Sequence, residues 1–127
     1  MTDDVLACAE KAYDALIEGF RTAEWKGLFD LLADEVDCIL PAPQVGHFKG
    51  VRGREEFIAF FSQLGGDITQ ITEIEVIAKT VAGDRVIFED WARGTFFDQP
   101  YAARHSIHFM IHDGKVAGFH EYNRPLD

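Results

Sequence analysis

Val5, Leu6, Ala9, Ala12, Tyr13, Leu16, Ile17 and Phe20 recur every three to four residues. That spacing predicts an amphipathic helix from about residue 3 to 20, with its apolar stripe toward a core; Gly19 weakens its end. A second helix fits Trp25, Leu28, Phe29 and Leu32. Glu35 to Leu40 then alternates polar and apolar residues like a short strand, which Pro41 and Pro43 stop. The stretch PAPQVGHFKGVRG reads as loop. A third helix starts near Gly53, carries Phe57, Phe60, Phe61 and Leu64 on one face, and ends at Gly65-Gly66.

From Ile68 onward the period changes to two. Ile68 to Thr80, Asp84 to Phe97, Tyr101 to His112 and Lys115 to Asn123 read as four successive strands. Gly83, Pro100 and Gly114 mark the turns between them. Three helices followed by an antiparallel meander is an α+β pattern, the helices covering one face of a strongly curved antiparallel sheet.

The His112-Asp113-Gly114-Lys115 turn decides which residues of the last two strands face inward. A two-residue loop pairs His112 with Lys115 and, continued without interruption, sets Ile107 beside His120. A three-residue loop pairs Ile111 with Lys115 and places Ile107, Phe109 and Ile111 on one face with Ala117 and Phe119. The second register separates apolar from polar faces more cleanly, and a one-residue slip would exchange whole faces, so it is the expected one. It sets His105 directly opposite Glu121. Val86, Phe88 and Asp90 join that inward face, while Trp91 and Arg93 point outward near His108 and Tyr122.

The 127 residues suit a single domain over 1–127, and 47% apolar content with eleven Phe supports a core and a lined cavity. A net charge of -10 argues against nucleic acid and anionic membrane surfaces as partners. The acidic N-terminus and the lack of a long apolar run place the chain in the cytoplasm rather than in or across a membrane. Cys8 and Cys38 lack metal-ligand spacing and read as reduced, buried thiols. His108 and His112 share a strand face but stand on the order of 13 Å apart, too far for one ion, so neither metal nor cofactor is expected.

An imidazole and two carboxylates at one end of an apolar cavity suit acid/base chemistry. Desolvation raises a carboxyl pKa and a neighbouring carboxylate raises that of histidine, so one group serves as base and another as acid near neutrality. His105, Glu121 and Asp90 are the candidates, with Tyr13 on the first helix as donor to a developing oxyanion. The plainer alternative is that His105 and Glu121 only satisfy each other at a sheet end, with Asp90 solvated at the rim. Trp25, Leu40, Phe57 and Phe61 are candidate walls for a small apolar ligand. So are Phe88, Ile107, Phe109 and Phe119, although the phenylalanine stripe serves equally well as core. An outward patch of Trp91, Tyr122, His108 and Met110 points to a homodimer through the outer sheet face.

Two stretches, LFDLLADEVDCILPAP...GHFKGVRGREEFIAFF and GDRVIFEDWARGTFFDQPYAARHSIHFMIHDGKVAGFHEYN, resemble the nuclear transport factor 2-like superfamily. The resemblance is strongest to its SnoaL-type polyketide cyclase and ketosteroid-isomerase-like branch. It implies a cystatin-like cone with a pocket inside, but not one reaction, because this fold hosts many. The positions matching the isomerase's base and oxyanion acid are Leu40 and Ile107, which implies that both are packing residues and that classical ketosteroid isomerisation is not performed. The cyclases' His and acid on the last two strands correspond to His105 and Glu121. The implied function is cofactor-free isomerisation, aldol cyclisation or dehydration of a small, mostly apolar carbonyl compound; the alternative is a non-catalytic ligand-binding or dimerisation domain.

Overall fold

The first apolar stripe forms α1 (Thr2–Thr22), which buries Ala9, Ala12, Tyr13 and Leu16. This and all that follows comes from a computed structural model describing residues 2–42 and 44–126, so Pro43, read as a strand stop, lies outside the described residues. Gly19 lies in the last turn of α1, where the indole of Trp25 occupies the place of a Cβ, which would stand 2.1 Å from its Cε3. Close packing is what requires the glycine. The second helix shrinks to α2 (Lys26–Phe29), because Leu32 is drawn into the sheet opposite Val116 at the start of β1 (Leu32–Leu40).

The segment read as loop contains an edge strand, β2 (Gly46–Phe48), pairing antiparallel with the end of β1. It leads into α3 (Gly50–Ser62), one turn earlier than expected. Four long strands follow: β3 (Thr69–Ala82), β4 (Arg85–Phe96), β5 (Gln99–His112) and β6 (Lys115–Pro125). The sheet order is β2-β1-β6-β5-β4-β3. Every neighbouring pair is antiparallel except β1 and β6, which run parallel. The sheet is therefore mixed: β6 ends the meander and meets β1, from which β2, α3 and the three strands β3 to β5 separate it along the chain. Register shifts at Ile71/Glu73 and Val76/Ala78 interrupt β3, and the sheet curls strongly around the helices as a half-barrel.

The β5–β6 turn corrects the expected register. It is a two-residue loop, Asp113 (φ 50°) and Gly114 (φ 72°), with His112 opposite Lys115. A bulge then falls on β6, opposite the step from Met110 to Ile111 of β5, where Ile111 pairs with Val116 and Met110 with Gly118. The extra residue, Ala117, restores the face that the short turn would have reversed. Val116 rather than Ala117 joins Phe119 inside. Beyond the bulge Ile107 pairs with Glu121, and His105 with Asn123. His105 and Glu121 are thus diagonal neighbours, not opposite ones.

The core is built on phenylalanine. Phe57 and Phe61 of α3 meet Phe119 edge-on at 5.1 and 5.6 Å, and Phe109 continues the line to Phe88. Phe88 then stacks on Tyr13 of α1 at 4.4 Å. Leu40 and Ile107 are both buried. Cys38 is free and buried, its pKa pushed up to about 12 by desolvation and by the charges of Asp37 and Glu56; Cys8 is free and only partly buried. On the outer face Tyr122 is exposed, Met110 lies over Gly118, and Trp91 donates its indole N–H to Glu75. Among the described residues no helix is long and apolar enough to cross a membrane.

α3 approaches β1 so closely that a Cβ on Gly53 would stand 1.7 Å from the Val36 carbonyl oxygen. Backbone cannot yield as a flexible side chain can, so Gly53→Ala is expected to destabilise by about 3 kcal/mol or more, the upper end for overpacking. Urea unfolding measures this; an unchanged midpoint would mean that α3 stands further from β1.

Candidate functional site

Alternation along β4 turns Phe88, Asp90 and Ala92 inward, and Asp90 is only 1% exposed. Its partner across the ladder is His105 of β5. His105 Nδ1–H donates to Asp90 Oδ1 at 2.7 Å, and the Tyr13 hydroxyl donates to Asp90 Oδ2 at 2.5 Å. At the other side of the imidazole, the Tyr101 hydroxyl lies 2.6 Å from Nε2. A continuous Tyr13–Asp90–His105–Tyr101 chain results. Glu121 of β6 faces the same space, is 8% exposed, and has no hydrogen bond to His105.

The electrostatics follow from burial and charge. Desolvation opposes the imidazolium of His105. The Asp90 hydrogen bond, with the charges of Glu121 and Asp90, outweighs it and raises the pKa above its ordinary 6.5. Burial raises the Glu121 pKa; the Asp90 charge adds to this, against His105 and a hydrogen bond with Asn123. Desolvation chiefly holds both phenols in the protonated form: Tyr13 is further affected by its bond to Asp90, and Tyr101 by the Glu121 and Asp90 charges. His105 and Glu121, both with raised pKa values, therefore share one space with a protonated phenol.

That space is a cavity of ≈ 240 Å³. Leu16 and Phe20 of α1, Leu64, and Ile74, Ala92 and Ile107 of the sheet supply apolar wall, and Asp90, Tyr101, His105 and Glu121 its polar end. Of the expected wall residues only Ile107 lines it. Trp25, Leu40, Phe57 and Phe61, like Phe88, Phe109 and Phe119, are core residues behind the wall. Their rings interlock and fill the space between α3 and the sheet. Open volume is left beside α1, where β1 and β6 finish.

Tyr13 also differs from expectation. It does not line the cavity: its hydroxyl is committed to Asp90 and its ring to Phe88, so it positions Asp90 from behind. The residue on the cavity side is Tyr101, which the sequence reading did not select. Its signal was parity, since 101 and 105 fall on one strand face. Thr69 was also missed; it lines the cavity, is 4% exposed, and its hydroxyl has no partner. An unpaired buried hydroxyl costs about 1–3 kcal/mol, which a polar atom on a bound ligand would offset.

The chain matches the SnoaL-like domain family over residues 13–119, and it belongs to that family. No curated protein matches it in sequence. Among solved structures it is similar to a nuclear transport factor 2-like protein from Anabaena variabilis, at 23% identity and TM-score 0.83, covering 98% of this chain and 92% of that one. A candidate isomerase from Rhodopseudomonas palustris matches at 12% identity and TM-score 0.76, over 91% and 88% of the two chains. A candidate ketosteroid isomerase from Kribbella flavida matches at 20% identity and TM-score 0.71, over 99% and 82%. These likenesses establish the cone-shaped α+β fold.

Asp90 makes the only side-chain hydrogen bond that raises the His105 pKa, whereas Glu121 acts through charge alone. NMR titration of the ring should therefore show a lower His105 pKa in Asp90→Asn and a smaller decrease in Glu121→Gln. Because the folded pKa exceeds the unfolded one, the stability His105 contributes is full below about 6.5 and is lost as pH rises through the folded value. Asp90→Asn should flatten that loss; a His105 titration unmoved by the substitution would mean the pair is not formed.

Proposed function

We propose that the chain is a cofactor-free acid/base enzyme that moves a proton on a small, mostly apolar carbonyl compound held in the cavity. The observation that carries this reading is the buried Asp90–His105 pair at one end of an otherwise apolar space. Asp90 fixes the imidazole tautomer and stabilises the imidazolium, leaving Nε2 as the atom that exchanges protons, with the Tyr101 hydroxyl against it. Membership of the SnoaL-like family, and the isomerase-type neighbours of the fold, support the same class of chemistry.

In the step we envisage, a C–H bond beside the substrate carbonyl breaks and its proton passes to His105. The electron pair moves into a new C=C bond and leaves negative charge on the carbonyl oxygen. The Tyr101 phenol, held in its protonated form, donates to that oxygen. Return of the proton to another carbon gives isomerisation, attack on a second carbonyl gives aldol closure, and loss of a β-hydroxyl gives dehydration. Leu40 and Ile107 carry no acid, so the base here is the dyad rather than a carboxylate at either place.

The test is solvent exchange. Small cyclic ketones such as cyclohexanone, incubated with the protein in D2O and followed by proton NMR, should lose their α-proton signals. His105→Gln and Asp90→Asn should each slow this by about 100- to 10,000-fold, the usual worth of general acid–base catalysis. Saturable ketone binding with no exchange would make the cavity a ligand-holding site without catalysis.

A further inference from the structure

The outer face of the β2-β1-β6 edge carries a second cluster unconnected with the cavity. His47 on β2 and His120 on β6 both pair with the same residue of β1, Ile39, from opposite sides. Asp37 precedes Ile39 by two residues and shares its face. Asp37 Oδ1 is 2.7 Å from His47 Nε2 and also 2.7 Å from His120 Nε2. The two rings stand at 78° with centroids 5.6 Å apart. One ligating atom from each of the three residues falls within 4.8 Å of the others.

We propose that Asp37, His47 and His120 bind a first-row transition-metal dication, with zinc as the reference ion. Two imidazoles sharing a single carboxylate oxygen converge on a point, where two independent ion pairs would use separate oxygens. Zinc takes histidine nitrogen and carboxylate oxygen at about 2.0–2.2 Å, so an ion needs each imidazole nitrogen, now 2.7 Å from the shared carboxylate oxygen, to part from it by less than about an ångström. Two imidazoles with one carboxylate favour zinc, nickel, cobalt or copper over magnesium and calcium. Side-chain exposure grades from 12% at His120 to 45% at His47, which leaves an entry path. Three protein ligands leave the remaining position to water or a small anion.

His108 is the next imidazole, 6.4 Å from His120 between ring centroids. Its nitrogens are engaged by Arg85 and Ser106, so it stands outside the set. A bound ion would join the edge strand β2 to both β1 and β6, and the predicted consequence is a higher melting temperature.

Calorimetric titration of the EDTA-treated full chain with zinc chloride should show one saturable site. His47→Gln and His120→Gln should each weaken it by more than about 100-fold, beyond the 10–100-fold typical of residues that only support a ligand. His112→Ala, at the exposed β5–β6 turn, should bind zinc unchanged. Circular dichroism and the metal-free melting temperature check that each variant is folded. Zinc should raise the melting temperature of the starting protein and of His112→Ala only. No saturable binding below millimolar zinc, or binding undiminished in both glutamine variants, would overturn the proposal.

Discussion

A carboxyl group buried as deeply as Asp90 must find partners inside the protein, because an unpaired charge there costs several kcal/mol. It finds two, one oxygen each: a phenol from the first helix and an imidazole from the neighbouring strand. These bonds do more than satisfy the group. They hold α1 at one position on the sheet, since Tyr13 reaches Asp90 only while its ring lies flat on Phe88. From Phe88 the edge-to-face contacts run through Phe109 and Phe119 to the rings of α3. The polar pair and the aromatic line are parts of one support.

The cavity exists because this support is confined to one part of the cone. Between α3 and the sheet the large rings of Phe57, Phe61 and Phe119 pack against one another. Beside α1, the smaller Ala92 and Thr69 and the curl of the interrupted β3 leave room. What lines the room is chemically uneven. Most of it is hydrocarbon, but one end holds an imidazole and a carboxyl with raised pKa values, a protonated phenol and an unpaired hydroxyl. The wall of the cavity is thus apolar over most of its surface and polar at one end.

Strand alternation lets the same segments serve two environments. On β1, Cys38 and Leu40 face the core while Asp37 faces outward; on β6, Glu121 faces the cavity while His120 faces out. The inner groups are dry and have their proton affinities shifted by burial. The outer ones, Asp37 and His120, keep more contact with solvent. Neighbouring residues on one strand thus meet different surroundings.

The first and third helices, the four long strands, the inward faces of β4 and β5, the placement of Asp90 and His105 inside, and the α+β class were legible in the residue pattern, because periodicity reports which side of an element meets apolar surroundings. Pattern alone did not reveal which inward groups touch. The two-residue turn and the bulge at Ala117 set Glu121 opposite Ile107, two positions from the expected His105, and left Asp90, on the other flank, as the partner of His105. Nor did it separate wall from core, since a phenylalanine on the inner face reads alike whether it meets a void or another ring. His47 stood in a presumed loop, and the parallel pairing of β1 with β6 was unforeseen, so no spacing in the chain joined Asp37, His47 and His120. Local spacing determines which face a side chain takes; only the order and register of strands distant in sequence decide its neighbours.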